Sequence, residues 1–237
     1  MRNTEINNRG AMILAFKNKI ISILGIGCIM IFSSCSGPNM DETQTQNLAA
    51  QNQQVIDFFM SDPAHITNLE QEIFTKINQE RSRNVPQIGQ TLSALTWDQN
   101  ISNVAYDHSL DIATQHFLDV RTVPGFLNCE TPHCNLSGET PLDRMNVALG
   151  LRANRRVGET IGKLRFADIS TIALTSIAAQ VVSSWMNSAP HRAIILDQGH
   201  FTTTLPIPAA FTKAGVGCVL ETGIYQSIIC TFNTIDQ

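Results

Sequence analysis

Apolar residues recur at the four-residue step of a helix face in four stretches of this chain, and give way to β-rich runs near its end. Thr67-x-x-Glu70 reads as a capping box ahead of Leu69, Ile73 and Ile77, so the first domain helix is predicted to start at Thr67. Ile101, Ala105, His108 and Ile112 form a second stripe, with Asp98 in place to cap its N-terminus. Thr140 is positioned to cap a third helix, with Pro141 first, Asp143 third and Gly150 as the stop. Ala173, Ile177, Val181 and Trp185 mark a fourth that begins near Ser170. Gly215 to Leu220 and Ile224 to Phe232 flank Glu221-Thr222-Gly223 and predict a hairpin, and a short strand over Val157 to Ile161 carries Glu159. This order lacks repeated βαβ units, so it predicts an α+β fold and excludes a doubly wound parallel sheet.

The stretch ahead of these elements has a different texture. Lys17-Asn18-Lys19 followed by the apolar run Ile20 to Phe32 has the charged and hydrophobic regions of a secretory signal, too short for a stable membrane span. It ends in Phe32-Ser33-Ser34-Cys35, which resembles the lipobox at which bacterial signal peptidase II cuts and the cysteine is diacylated; Met12 is then a candidate start. Residues 36 to 54 are rich in Gln, Asn, Thr and Ser and read as a solvated tether, with Gln54 to Met60 as a short helical stretch stopped at Asp62-Pro63. As a flexible coil, such a tether holds the domain roughly 30 Å from Cys35. The predicted organisation is a signal peptide over 1–34, a lipidated cysteine and polar tether over 35–62, and one domain over 63–237. That places the protein outside the cytoplasm, lipid-anchored in a bacterial outer membrane or cell surface.

At 43% apolar content, 237 residues suffice for one domain with a full core. Removing the first 34 residues leaves 12 basic and 19 acidic residues, so the net charge moves from −4 to −7 and nucleic acid is excluded as a partner. With Cys28 lost in the leader and Cys35 lipidated, Cys129, Cys134, Cys218 and Cys230 remain in an oxidising compartment and imply two disulfides. Three pairings are possible. Local pairing is expected, because Cys218 and Cys230 lie on the two arms of the predicted hairpin and Cys129 and Cys134 flank one tight loop. The 129–134 bridge contributes only about 2 kcal/mol through chain entropy, so its role is to fix His133. A zinc site on the Cys-x4-Cys pair is the rival reading.

Three phrases carry candidate chemistry: Pro132-His133-Cys134 ahead of Thr140-Pro141-Leu142-Asp143-Arg144-Met145, then Gly158-Glu159-Thr160-Ile161, then Ser184-Trp185-Met186-Asn187-Ser188-Ala189-Pro190-His191-Arg192. Two imidazoles and one carboxylate can offer a divalent metal three ligands with open positions. With Gly215-Val216-Gly217, the phrases over about residues 67 to 233 resemble the CAP superfamily of cysteine-rich secretory proteins, antigen 5 and pathogenesis-related proteins, most nearly its bacterial extracellular branch. That resemblance implies a three-layer α–β–α sandwich with a central antiparallel sheet. It also implies a cleft lined by two His and two Glu that binds a divalent metal in some members. His133, Glu159 and His191 match three of the four. Ser188 stands where many eukaryotic members have the second Glu, and Thr160 where the motif has Asn. His200, in Gly199-His200-Phe201-Thr202, is the rival to His191. His108 reads as a semi-buried residue of its helix face.

Nucleophile elbow, Walker loop, His-Glu-x-x-His pair and dinucleotide fingerprint are all missing, and Ser183, Ser184 and Ser188 have no identifiable oxyanion donor. The leading expectation is therefore a non-enzymatic lipoprotein whose cleft takes a small or lipidic ligand or a partner, with zinc or another divalent cation optional. The alternatives are a metal-dependent hydrolase of peptide or cell-wall bonds, and a surface adhesion or host-interaction protein that makes contacts through Phe201 to Lys213.

Overall fold

The computed structural model describes residues 42–84, 92–115, 132–135, 137–151, 155–198, 210–222 and 226–236. The chain divides into two units, Met1–Asn47 and Leu48–Gln237. Of the first, only Glu42–Asn47 fall among the described residues, and they are helical. Cys35 and the leader lie outside the described residues. No helix among the described residues is long and apolar enough to cross a membrane.

The second unit is built on a four-stranded sheet ordered β1-β3-β4-β2, from β1 (Thr96–Trp97), β2 (Val157–Arg165), β3 (Phe211–Glu221) and β4 (Ser227–Asp236). The pairs β3–β4 and β2–β4 are antiparallel, while the two-residue β1 lies parallel to β3. The predicted hairpin thus forms, with Cys218 and Cys230 directly opposed and disulfide-bonded. Its first arm starts four residues earlier than Gly215. Phe211 to Lys213, expected in a contact loop, are strand, and the buried Asp197 carboxylate accepts the Phe211 N–H at 2.9 Å.

The helices form two layers, as the α+β sandwich requires. One face of the sheet carries α2 (Ala64–Arg83), α5 (Leu174–Asn187) and α6 (Ala189–Ile195), around a core that includes Leu69, Ile73, Ile77, Ile177, Trp185 and Phe232. The other carries α3 (Gln99–Gln115) and α4 (Pro141–Leu149), packed through Ile101, Val104, Met145, Ile112 and Ile229. At Gly215 and Gly217 the helix main chain rests on the strand main chain. A Cβ on Gly217 would lie 2.0 Å from the Tyr106 nitrogen, and one on Gly215 would lie 2.2 Å from that of Ser102.

Several caps are as the sequence predicts. The Asp98 carboxylate accepts from Asn100 N–H at 2.9 Å, and Thr140 with Asp143 closes a full capping box ended by a left-handed Gly150. The Thr67-x-x-Glu70 box is not used. The helix begins at Ala64, whose N–H is taken by Asp62 at 2.9 Å, and Glu70 turns inward to accept the Cys218 N–H at 3.0 Å. The fourth helix starts at Leu174 rather than near Ser170.

The polar stretch ahead of Pro63 departs most from expectation. From Glu42 to Ser61 it is one helix, α1, not a coil with a short helical end. Within the second unit Val55 and Phe59 enter the main core, Gln51 donates to the Ile169 carbonyl at 2.8 Å, and Asn52 donates to Gln226 at 2.6 Å. The packed body therefore begins ahead of residue 63. Ile56 and Phe58 pack partly buried against the same core, so the C-terminal half of the helix docks as an apolar cluster.

Candidate functional site

Glu159 sits near the start of β2, an edge strand, with its side chain on the α3 side of the sheet and only 1% of it accessible. A buried carboxylate needs compensation. Arg144 supplies it, its Nη2 lying 2.5 Å from Glu159 Oε2. Arg144 is the fourth residue of α4, and the Thr140 capping box and Pro141 fix the turn it leaves from. On the other oxygen, Oε1, His133 Nδ1 lies at 3.0 Å and His108 Nε2 at 3.6 Å.

The protons follow from the partners. A carboxylate paired with a guanidinium is an acceptor, so His133 Nδ1 carries the hydrogen, and in the neutral ring Nε2 presents a lone pair. The His133 side chain is 34% exposed, so this nitrogen belongs to a ring that reaches solvent. His108 Nε2 lies 3.0 Å from the Pro132 carbonyl, also an acceptor, and its buried Nδ1 has no partner among the described residues. Burial pushes the His108 imidazole down to about 4. Glu159 opposes that shift, while the charge of Arg144, and that of His133 whenever its ring is protonated, reinforces it. His108 is thus neutral at physiological pH.

His133 is held by its loop. Asn135 folds the segment with its side-chain carbonyl accepting from Ser137 and Glu139 N–H, at 3.1 and 2.8 Å, and Gly138 takes the positive φ of 78° that the turn needs. Cys134 is disulfide-bonded, but Cys129 lies outside the described residues, so the expected pairing does too.

His191 comes from the opposite layer. It lies in the first turn of α6, whose N-cap is Ser188 and which Arg192 ties to the Met186 carbonyl at 3.0 Å. Burial holds the His191 imidazole below its ordinary value, and a protonated His133 would lower it further. Edge strand β2 is contacted by α6 from one layer and by α4 from the other, and the His133 ring meets Glu159 on it. Ser188 makes no side-chain cap hydrogen bond. His200 lies outside the described residues.

Among the described residues no group of three His, Cys, Asp or Glu side chains is arranged to hold a metal. Glu159 does not fit as a direct ligand, since a guanidinium already answers its charge. His133 fits better, because a carboxylate on one ring nitrogen is how metal-binding imidazoles are commonly oriented. Sequence reasoning missed Arg144 and placed His108 outside the site. The one local signal was His108 on the apolar stripe of its helix; the inward turn of Arg144 depends on a partner from a separate strand. Asn233, directly across from Glu159 on β4, is also fully buried with both amide atoms unpartnered.

No curated protein matches this chain. Among solved structures, an extracellular protein containing an SCP domain from Bacillus anthracis str. Ames is 24% identical with a TM-score of 0.45. That alignment covers 72% of this chain, which spans 41% of the other's length. The family model of CAP, the cysteine-rich secretory protein family, matches residues 74–233. That span takes in every member of the Glu159 cluster, the α6 histidine and the glycine-paved strand beneath α3, and the chain belongs to the CAP family.

Proposed function

We propose that this protein is an exported binding protein whose CAP domain takes a small or lipidic ligand, or a divalent cation, between His133 and His191. The observation that carries the reading is the 3.0 Å contact of His133 Nδ1 with the buried Glu159, which leaves Nε2 as a fixed acceptor on a partly exposed ring. Glu159 then orients an imidazole and does not itself touch the ligand. Its pairing with Arg144 speaks against a water-activating role, so binding is preferred to hydrolysis of peptide or cell-wall bonds. A bound divalent cation would be held by the two imidazoles and would supply a Lewis-acidic centre.

Export is supported by the Cys218–Cys230 disulfide, which belongs in an oxidising compartment. Anchoring through a lipidated Cys35 rests on the lipobox-like sequence alone, and Cys35→Ala should release the protein from the membrane fraction.

The cleft is tested by titrating the exported chain, isotope-labelled at histidine, with Zn2+ and with a soluble sterol analogue. Shifts at His133 and His191 with either probe, lost in His133→Ala, support the reading. Shifts confined to other sites, or none with either probe, would overturn it.

A further inference from the structure

We propose that Arg144 is the positioning residue of the cleft, a resident cation that locks the His133 loop to the Glu159 strand and sets which nitrogen of His133 faces the ligand. The inference rests on the reading of His133 as a ligand-facing group.

One guanidinium makes three contacts on two segments. Arg144 Nη1 donates to the His133 carbonyl at 2.9 Å and to the Glu139 carbonyl at 2.8 Å, while Nη2 donates to Glu159 Oε2 at 2.5 Å. The two carbonyls stand on either side of the Asn135 turn, so Arg144 closes that turn from below. It also fixes the His133 main chain relative to the carboxylate that its ring must meet. The contacts form a closed circuit: Arg144 to the His133 backbone, the His133 ring to Glu159, and Glu159 back to Arg144.

Only arginine fills this place. Its planar fork presents several donors in fixed directions, whereas lysine offers a compact charge at a single point. The charge matters as much as the shape. A carboxylate held by a guanidinium accepts, so the neutral ring of His133 places its hydrogen on Nδ1 and leaves Nε2 bare. Without the guanidinium nothing ties the His133 main chain to the Glu159 strand, so the ring could turn from the carboxylate and take either tautomer.

The test is the ring nitrogen spectrum of His133 in the exported chain without any ligand. The native protein should show one tautomer with a slowly exchanging Nδ1–H. Arg144→Met, which keeps the aliphatic stem, should populate both tautomers and speed that exchange roughly tenfold or more, as expected on losing a charge-assisted hydrogen bond. Arg144→Lys should restore part of the effect. A purely structural role would lower the melting temperature and leave the tautomer unchanged, so a folded Arg144→Met with native His133 signals overturns the proposal. If that variant does not fold, Glu159→Gln decides, since removing the charge that Arg144 answers should release the same tautomer mixture and native signals would again overturn it. A chain silent to Zn2+ and sterol but altered in tautomer loses the binding reading alone. Zn2+ binding at His133 with an unaltered tautomer in Arg144→Met removes only the role of Arg144.

Discussion

Removing the two halves of the Glu159–Arg144 pair should not cost the same. Glu159→Ala strands a guanidinium that is 8% exposed, and breaking a buried pair in this way typically costs about 3–5 kcal/mol. Chemical denaturation should show that loss, and the double variant Glu159→Leu with Arg144→Met should recover part of it. His108 gives the site a pH signature. Its pKa falls from 6.5 unfolded to about 4 folded, so the unfolded chain binds more protons between those values. Its stabilising contribution is therefore complete above about pH 6.5 and is lost as pH falls towards 4, by about 3 kcal/mol in total. Unfolding curves recorded across that window should flatten in His108→Gln, and an unchanged slope would remove His108 as the cause. Neither Arg144 nor this role of His108 was legible in the sequence. A charged residue in a short amphipathic helix reads as solvent-facing, and only a tertiary partner from a strand fifteen residues later reverses that reading.

At the level of elements, what was legible was local. The Thr140–Asp143 box, the Asp98 cap and the Ile101-to-Ile112 stripe are each decided within a few residues by spacing and side-chain chemistry, and all three form. Helix α1 was not legible, because isolated helical stability is weak in water and α1 is fixed by docking Val55, Ile56, Phe58 and Phe59 on the core. Phe59 should consequently behave as core. Phe59→Ala should destabilise the protein by about 3–5 kcal/mol, a size expected for a buried Phe and not for a tether residue, and a change under about 0.5 kcal/mol would reinstate the coil. The unused Thr67 box shows the reverse case. A local signal was present, but Asp62 offered an earlier cap and the buried backbone at Cys218 claimed Glu70.

Across the whole molecule, the sheet order decides where chemistry is possible. With β2 at an edge, the His133 loop from one helical layer and α6 from the other both reach that strand, which no single sequence motif reveals. The order of motifs pointed to His133, Glu159 and His191 together, but not to an acid that faces inward while the His133 ring reaches solvent. The Cys218–Cys230 bridge joins the two strands that carry the centre of the sheet. Replacing both by Ala should lower stability by about 3 kcal/mol on chain-entropy grounds. Reduction of the native protein should move its melting curve by a similar amount, and a curve insensitive to reductant would count against that bridge as a staple.

Where α3 crosses the sheet, peptide unit lies against peptide unit at Gly215 and Gly217, with no side chain between them as a spacer. The height of His108 above the strands is thus set by the thickness of the backbone itself. A side chain at either glycine would push the helix off the sheet, so this spacing has no dial to turn. Under the proposed binding role, changes of specificity are written instead in the loop that carries His133 and the turn that leads into α6.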